Sequence, residues 1–244
     1  MPRFFVKEEN INSNYITVSG NDAVHIGRSL RMKIGDELIL CCNKIDYTTK
    51  ILTINDSEVI CEIMSQTPIQ SEANINLVLY QAMPKLDKLE FITQKAVELG
   101  AAKIVPVITS RCISRPDKKS FSKKKERLNK IALEAAKQSG RGIIPEIYDI
   151  LDFKSAVSEL SKHDFSFVCY EKGGIPFSCI INPNDFKNKN IGLFIGSEGG
   201  FDEKEIEVCE SLGIRKISMG KRILRCETAP VSAISIIMAL TGNM

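Results

Sequence analysis

Three ionisable residues stand in glycine-punctuated loops near the C-terminus. Glu198 lies in Gly196-Ser197-Glu198-Gly199-Gly200, and Arg225 and Glu227 lie in Met219-Gly220-Lys221-Arg222-Ile223-Leu224-Arg225-Cys226-Glu227-Thr228. A carboxylate among free backbone amides suits a ligand rich in hydroxyls and ring nitrogens and able to carry positive charge. It would repel phosphate. The G-K-[ST] of a Walker loop is missing, and the glycine spacing does not match the dinucleotide fingerprint. Each feature keeps a second reading. A lone G-x-x-G-G reads better as a tight turn that needs positive φ, and Arg225 with Glu227 is equally a buried ion pair or cap. A third loop, Glu171-Lys172-Gly173-Gly174, weakens the turn-only reading, because three such loops then follow three apolar strands.

The elements that must hold these loops are legible from periodicity. Residues 1 to about 70 read as a small β-rich domain, with short strands at Phe4-Val6, Tyr15-Val18, Glu37-Cys42, Tyr47-Ile54 and Val59-Met64 and one or two helical turns over Asp22-Met32. The polar Thr67-Ala73 connector marks a boundary. From Ile75 strands alternate with helices, the pattern of a mostly parallel sheet. Strands are expected at Ile75-Gln81, Ile104-Ile108, Phe165-Tyr170, Ile191-Ile195 and Arg215-Ser218. Helices are expected at Lys85-Leu99, at Lys123-Ser139 with Ser122 as cap, at Phe153-Leu160 capped by Asp152, after Asp202 with Glu205 completing a capping box, and at Ala229-Thr241 with Thr228 as cap. The last is apolar on all sides and must be buried all round, in the core or against another subunit.

Composition bounds the rest. A chain of 244 residues with 43% apolar content accommodates two domains with real cores. The net charge of +3 does not announce a polyanion, but Arg115 to Lys130 holds eight Lys/Arg against Asp117 and Glu126. A lysine-rich face is usually only a solvated one; standing beside Arg111, Arg115 and Arg141, this one gains weight as a polyanion surface. On the N-terminal helix, His25, Arg28, Arg31 and Lys33 taken alone read better as a solvated face than as a phosphate-contacting edge. The eight cysteines form no C-x-x-C pair and, with only two histidines, no zinc site is expected. The N-terminus has no apolar signal core, and the apolar helix is too short to span a bilayer, so a soluble cytoplasmic protein is expected.

Several segments together resemble the RsmE family of 16S rRNA methyltransferases, in the SPOUT class. They are His25-x-x-x-x-Leu30-Arg31-Met32-Lys33-Ile34-Gly35-Asp36; Lys85 with Phe91-x-x-Gln94-Lys95-x-x-Glu98-Leu99-Gly100; Pro106 and Arg111; Glu134 to Arg141; Pro145-Glu146; and the two C-terminal loops with Phe201 and Ala229. The likeness runs nearly the full chain. Ser197 and Met219 depart from the family's usual Pro and Leu.

The resemblance implies an α/β fold: a trefoil-knotted, mostly parallel sheet flanked by helices at 74–244, preceded by a PUA-like β-barrel RNA-binding domain at 1–70, and a homodimer. It implies S-adenosylmethionine as cofactor, the small-subunit 16S rRNA as partner, no metal and no membrane, and methylation of N3 of one uridine near the decoding region. The cofactor set it implies is Glu171, Ile195, Gly196, Gly199, Gly200, Met219, Gly220, Ile223, Leu224, Thr228 and Ala229. The RNA set is Arg28, Arg31, Lys33, Lys85, Arg111, Arg115, Gln138, Arg141 and Arg222, with the lysine face at Lys118, Lys119 and Lys123-Lys125 continuing the path. His163 is misplaced as a base, so Arg225 is assigned to stabilise the uridine anion. Glu227 or Glu198, with a raised pKa, is assigned to take the proton, or else only to orient the arginine and cofactor. Rival readings are a non-catalytic RNA-binding protein, a nucleotide-phosphate enzyme, and a SPOUT methyltransferase with another rRNA or tRNA target.

Overall fold

The computed structural model describes residues 1–55, 57–179 and 183–244 and divides into two compact units. The first comprises Met1–Glu72 with Ala136–Ile143. Its strands are β1 (Arg3–Phe5), β2 (Tyr15–Ser19), β3 (Glu37–Cys42), β4 (Ile45–Ile54) and β5 (Glu58–Pro68), in the order β1-β3-β4-β5-β2. The β3–β4 hairpin turns on Asn43 and Lys44, both at positive φ (48° and 63°). That geometry matches the right-handed twist of the flanking strands.

Alternate residues of these strands, including Ile16, Val18, Leu38, Leu40, Ile51 and Val59, join Phe4, Ala23 and Ile26 in one core. Between β2 and β3, α1 (Asn21–Val24) runs into a π-type turn over His25–Ser29. Arg141 belongs to this unit. It is 3% exposed, and its Nη2 donates to Glu72 Oε2 at 2.8 Å. The sequence reading placed Arg141 on an RNA surface; burial and this ion pair make it a structural residue instead. Gln138 is exposed.

The second unit, Ala73–Ala135 with Ile144–Met244, carries β6 (Asn76–Ala82), α2 (Lys88–Glu98), β7 (Lys103–Ile108), α3 (Lys118–Gln138, whose end is counted with the first unit), β8 (Glu146–Ile147) and β9 (Leu151–Asp152). It continues with α4 (Phe153–Leu160), β10 (Phe165–Cys169), β11 (Ile175–Pro176), α5 (Pro183–Phe186), β12 (Asn190–Ile195), α6 (Glu203–Ser211), β13 (Arg215–Ser218) and α7 (Thr228–Leu240). The strands form one sheet in the order β11-β13-β10-β12-β6-β7-β8, with β9 also on β7. Every ladder in it is parallel. The central strands are buried on both faces, so they read as continuous apolar runs. Pro106, which cannot donate, falls between the short β8 and β9 ladders along β7.

Three helix starts differ from expectation. α3 begins five residues before Lys123, because Asp117 Oδ1 accepts the Ser120 amide at 2.7 Å and acts as the cap in place of Ser122. This earlier start puts Phe121 in the core. α2 begins at Lys88 rather than Lys85, since Leu86 has φ +56° and cannot be helical. Thr228 is the first residue of α7 and Glu227 its cap position, with no capping side-chain bond. α7 buries Ala229, Ala233, Ile234, Ile237 and Met238 and contacts α2. Its Val231, Ile236 and Leu240 are only half-buried in the single chain, so the all-round burial expected of it is incomplete.

Among the described residues no helix is long and apolar enough to cross a membrane. None of the His, Cys, Asp and Glu among them group so as to hold a metal.

Candidate active site

A parallel sheet directs all its strand exits to one edge. Here the exits of β13, β10, β12, β6 and β7, five neighbours in the sheet, lead into the loops at 219–227, 170–174, 196–202, 83–87 and 109–117. The loops after β10, β12 and β13, with the start of α7, line a cavity of about 300 Å³, at the lower end of the range for small-molecule sites.

The β12 loop is shaped by its glycines. A Cβ on Gly196 would lie 3.1 Å from Gly200 Cα, and Gly200 has φ +65°. The Gly200 amide donates to Ser197 O at 3.0 Å and closes the turn. Beyond it, fully buried Phe201 packs edge-on against Phe194 of β12, centroids 4.7 Å apart. Such a pair adds about 1 kcal/mol to the area it buries and pins both ends of the loop. Asp202 then caps α6 with Glu205 as its capping-box partner. Glu205 Oε1 also accepts the Ser110 amide at 2.7 Å, tying the β7 loop in.

The charged centre lies on one side. Lys88, in the first turn of α2, places Nζ 3.0 Å from Glu198 Oε1 and 3.1 Å from Glu227 Oε2. The Lys85 amide donates to Glu198 at 3.1 Å, and the Cys226 thiol donates to Glu227 at 3.2 Å. Burial alone would raise the Glu198 carboxyl, but its own amide, Lys88 and the Lys85 amide outweigh burial and hold it below the usual carboxylate range. Glu227 behaves likewise, with burial opposed by Cys226, its own amide and Lys88. The Glu198 and Glu227 bonds raise the Lys88 ammonium, and burial pushes the Cys226 thiol up to about 12. The cluster is therefore two carboxylates, one ammonium and a neutral thiol, with a net charge of −1. The expectation that either glutamate has a raised pKa fails here, because each is surrounded by donors that favour its charged form.

Of the residues assigned to the cofactor, Glu171, Ile195, Gly196, Gly199, Gly200, Met219, Gly220, Ile223, Leu224 and Ala229 line the cavity. Thr228 does not; it is exposed and its amide donates to Arg225 O at 2.9 Å. Glu198 and Arg222 line it, whereas Arg225 is exposed beside it with no hydrogen-bond partner for its guanidinium among the described residues.

Of the RNA set in this unit, Lys85 is exposed at the rim. Arg111 donates to Gly199 O at 3.1 Å and pairs with Asp202 at 3.4 Å. Arg115 folds back onto the carbonyls of Cys112 and Thr109. Both arginines brace loops, although both remain exposed. In the first unit, Arg28, Arg31 and Lys33 are exposed. Sequence reasoning missed Lys88 of the charged centre and Tyr170 and Cys226, which line the cavity. Charge balance was the available signal for Lys88, since two glutamates assigned to one pocket need a cation.

Several features fit S-adenosylmethionine. Ser197 lines the cavity, yet its buried Oγ has no partner, and the fully buried Gln81, whose Nε2 donates to Gly196 O at 3.2 Å, leaves Oε1 unpaired. Buried polar atoms are rarely left so unless a ligand or water meets them. The Glu171 carboxylate lies 3.3 Å from the Cβ position that Gly200 leaves open, where it can accept from ribose hydroxyls. The net negative Lys88–Glu198–Glu227 cluster beside the cavity suits a sulfonium cation.

Comparison with known proteins agrees. Residues 71–238 match the family model described as "RNA methyltransferase domain", and residues 18–64 match "RNA methyltransferase PUA domain". A Bacillus subtilis protein named ribosomal RNA small subunit methyltransferase E is 33% identical, the match covering 97% of this chain and 96% of that protein. The crystal structure of the Neisseria gonorrhoeae methyltransferase E bound to S-adenosylmethionine is 28% identical with a TM-score of 0.88, covering 98% of each chain. A Legionella pneumophila methyltransferase determined with the same cofactor is 29% identical with a TM-score of 0.87, covering 97% of this chain and 96% of that one. The chain belongs to the RNA methyltransferase family whose members carry the name ribosomal RNA small subunit methyltransferase E.

Proposed function

We propose that this protein transfers a methyl group from S-adenosylmethionine to N3 of one uridine in 16S rRNA, near the decoding region of the small ribosomal subunit. The observation that carries the reading is the backbone-walled cavity with its net negative Lys88–Glu198–Glu227 cluster. That negative charge suits a cationic cofactor. Gly196, Gly199, Gly200, Gly220 and Leu224 hold the adenosine part mainly through backbone, with Glu171 on the ribose.

The bound cofactor supplies an electrophilic methyl group. For N3 to accept it, the N3–H bond must break and negative charge must spread over the uracil oxygens. The unpartnered guanidinium of Arg225 is placed to receive that charge. Glu198 and Glu227 are fixed anions that position Lys88 and the two loops, and the released proton passes to solvent.

Residues 1–70 serve as the RNA-docking domain and 74–244 as the catalytic domain. The RNA-contacting residues are Arg28, Arg31 and Lys33 in the first unit and, in the second, Lys85, Arg111, Arg222 and the exposed lysines of α3. Two features support the knotted, dimeric architecture. β13 lies beyond β10 from β12, so the chain crosses β10 between them. The half-buried side of α7 then offers an apolar face to a second copy. Eight free thiols fit a reducing cytoplasm.

Calorimetric titration with S-adenosylmethionine tests the reading at its base: saturable binding supports it, and its absence returns the protein to the non-catalytic alternative.

A further inference from the structure

Leu86 occupies a costly conformation in a costly place. Its backbone is left-handed at φ +56°, where glycine or asparagine would be less strained. Its side chain is 81% exposed. Neither cost is relieved within the chain, and neither results from a loose loop. The Lys85 amide on one side is bonded to Glu198 at 3.1 Å, and Leu86 O accepts from Lys124 Nζ at 3.1 Å on the other. The segment is thus held rigid with an apolar side chain projecting. Strain kept by surrounding bonds in this way marks functional positions.

Leu86 follows the amide that bonds Glu198, and Glu198 lines the cofactor cavity. Ile223, 84% exposed, is a large apolar side chain that lines that cavity. The ionisable groups around them are mainly cationic. Lys85, Lys221, Arg222 and Arg225 are exposed with no anionic partner among the described residues, and Lys124 caps Leu86 O; Asp87 is the adjacent acid. An RNA strand complements both features, with its phosphates meeting the cations and its bases meeting the apolar tips.

Resting on the methyltransferase reading, we propose that Leu86 is a wedge. It packs against the base next to the target nucleotide and holds that step unstacked, so that the target base can enter the cavity. Apolar side chains inserted between base steps are an established way to open a stack, and a base buried in its stack is out of reach of modifying groups.

The test uses the full-length protein with Leu86→Gly and Leu86→Asn. Both substitutions suit positive φ, so both are expected to melt at or above the wild-type temperature and to bind S-adenosylmethionine unchanged. For methyl transfer to 16S rRNA their kcat/KM is expected to fall about tenfold, the order of one lost base contact. Leu86→Met is expected to retain wild-type kinetics. A 2-aminopurine beside the target is expected to brighten on binding wild type and to stay quenched with Leu86→Gly. Wild-type kcat/KM in both variants would overturn the wedge, as would a loss that tracks a changed sedimentation coefficient, which would assign the rim to a second copy. A wild type that transfers no methyl to RNA would instead overturn the underlying function.

Discussion

Lys88 Nζ stands 3.0 Å from Glu198 and 3.1 Å from Glu227, joining the loop after β12 to the loop after β13 through the first turn of α2. Three segments far apart in the chain are thereby fixed to one another at the edge of the cavity. The two carboxylates are held charged by the ammonium that separates them.

Removing that ammonium leaves two carboxylates together without a counter-ion. Lys88→Met is expected to weaken S-adenosylmethionine binding roughly tenfold, the scale of one charge-assisted contact, and to lower the melting temperature. Calorimetry and a thermal melt check both. Unchanged affinity would mean that the loops keep their geometry without the bridge.

The pH dependence follows from the same cluster. Glu198 and Glu227 have folded-state pKa values below the usual carboxylate range. The stability they contribute is therefore complete above that range and is lost as pH falls through the depressed values. No rising limb of the rate between roughly pH 5 and 7 should belong to either group. Glu227→Gln is expected to leave the pH–rate profile in place while weakening the Lys88 contact. A limb in that window that disappears in the glutamine variant would restore a glutamate as the base.

Arg225 is exposed without a hydrogen-bond partner, so its loss should cost the folded chain little. Arg225→Ala is expected to lower kcat by about 10²-fold, as for a lost oxyanion donor, with cofactor affinity unchanged. Wild-type turnover at saturating RNA would remove Arg225 from the chemistry.

Arg141 is expected to behave in the opposite way. Its bond to Glu72 is buried, and breaking a buried pair from one side costs about 3 kcal/mol. Urea denaturation of Arg141→Ala should show that loss. A variant of unchanged stability but weaker RNA binding would return Arg141 to the RNA path.

Much of the fold was legible because strand exits and helix caps are local signals. Asp152 and the Asp202–Glu205 box cap α4 and α6 as their spacing indicated, and β3 and β13 span the residues that alternation and apolarity marked. The start of α3 was missed because Asp117 and Ser122 both offer a local cap, and the one used is Asp117, which brings Phe121 into the core. The cavity-lining glycines were readable from their loops. Lys88 was not, since on a helix of mixed charge it looks like any solvent-facing lysine. Only the juxtaposition of β6 with β12 brings it to Glu198. Arg141 was misread for the converse reason, because its partner Glu72 lies in the interdomain connector, distant in sequence.

The central claim is methyl transfer to N3 of a uridine in 16S rRNA. The most direct measurement incubates the purified protein with S-adenosylmethionine and unmodified small subunits or their 16S rRNA, then analyses the digested nucleosides by mass spectrometry and maps the modified position. The expected product is 3-methyluridine at a single site near the decoding region, formed only with the cofactor present. Methylation of a ribose hydroxyl, of another base, or of tRNA in preference to 16S rRNA would contradict it.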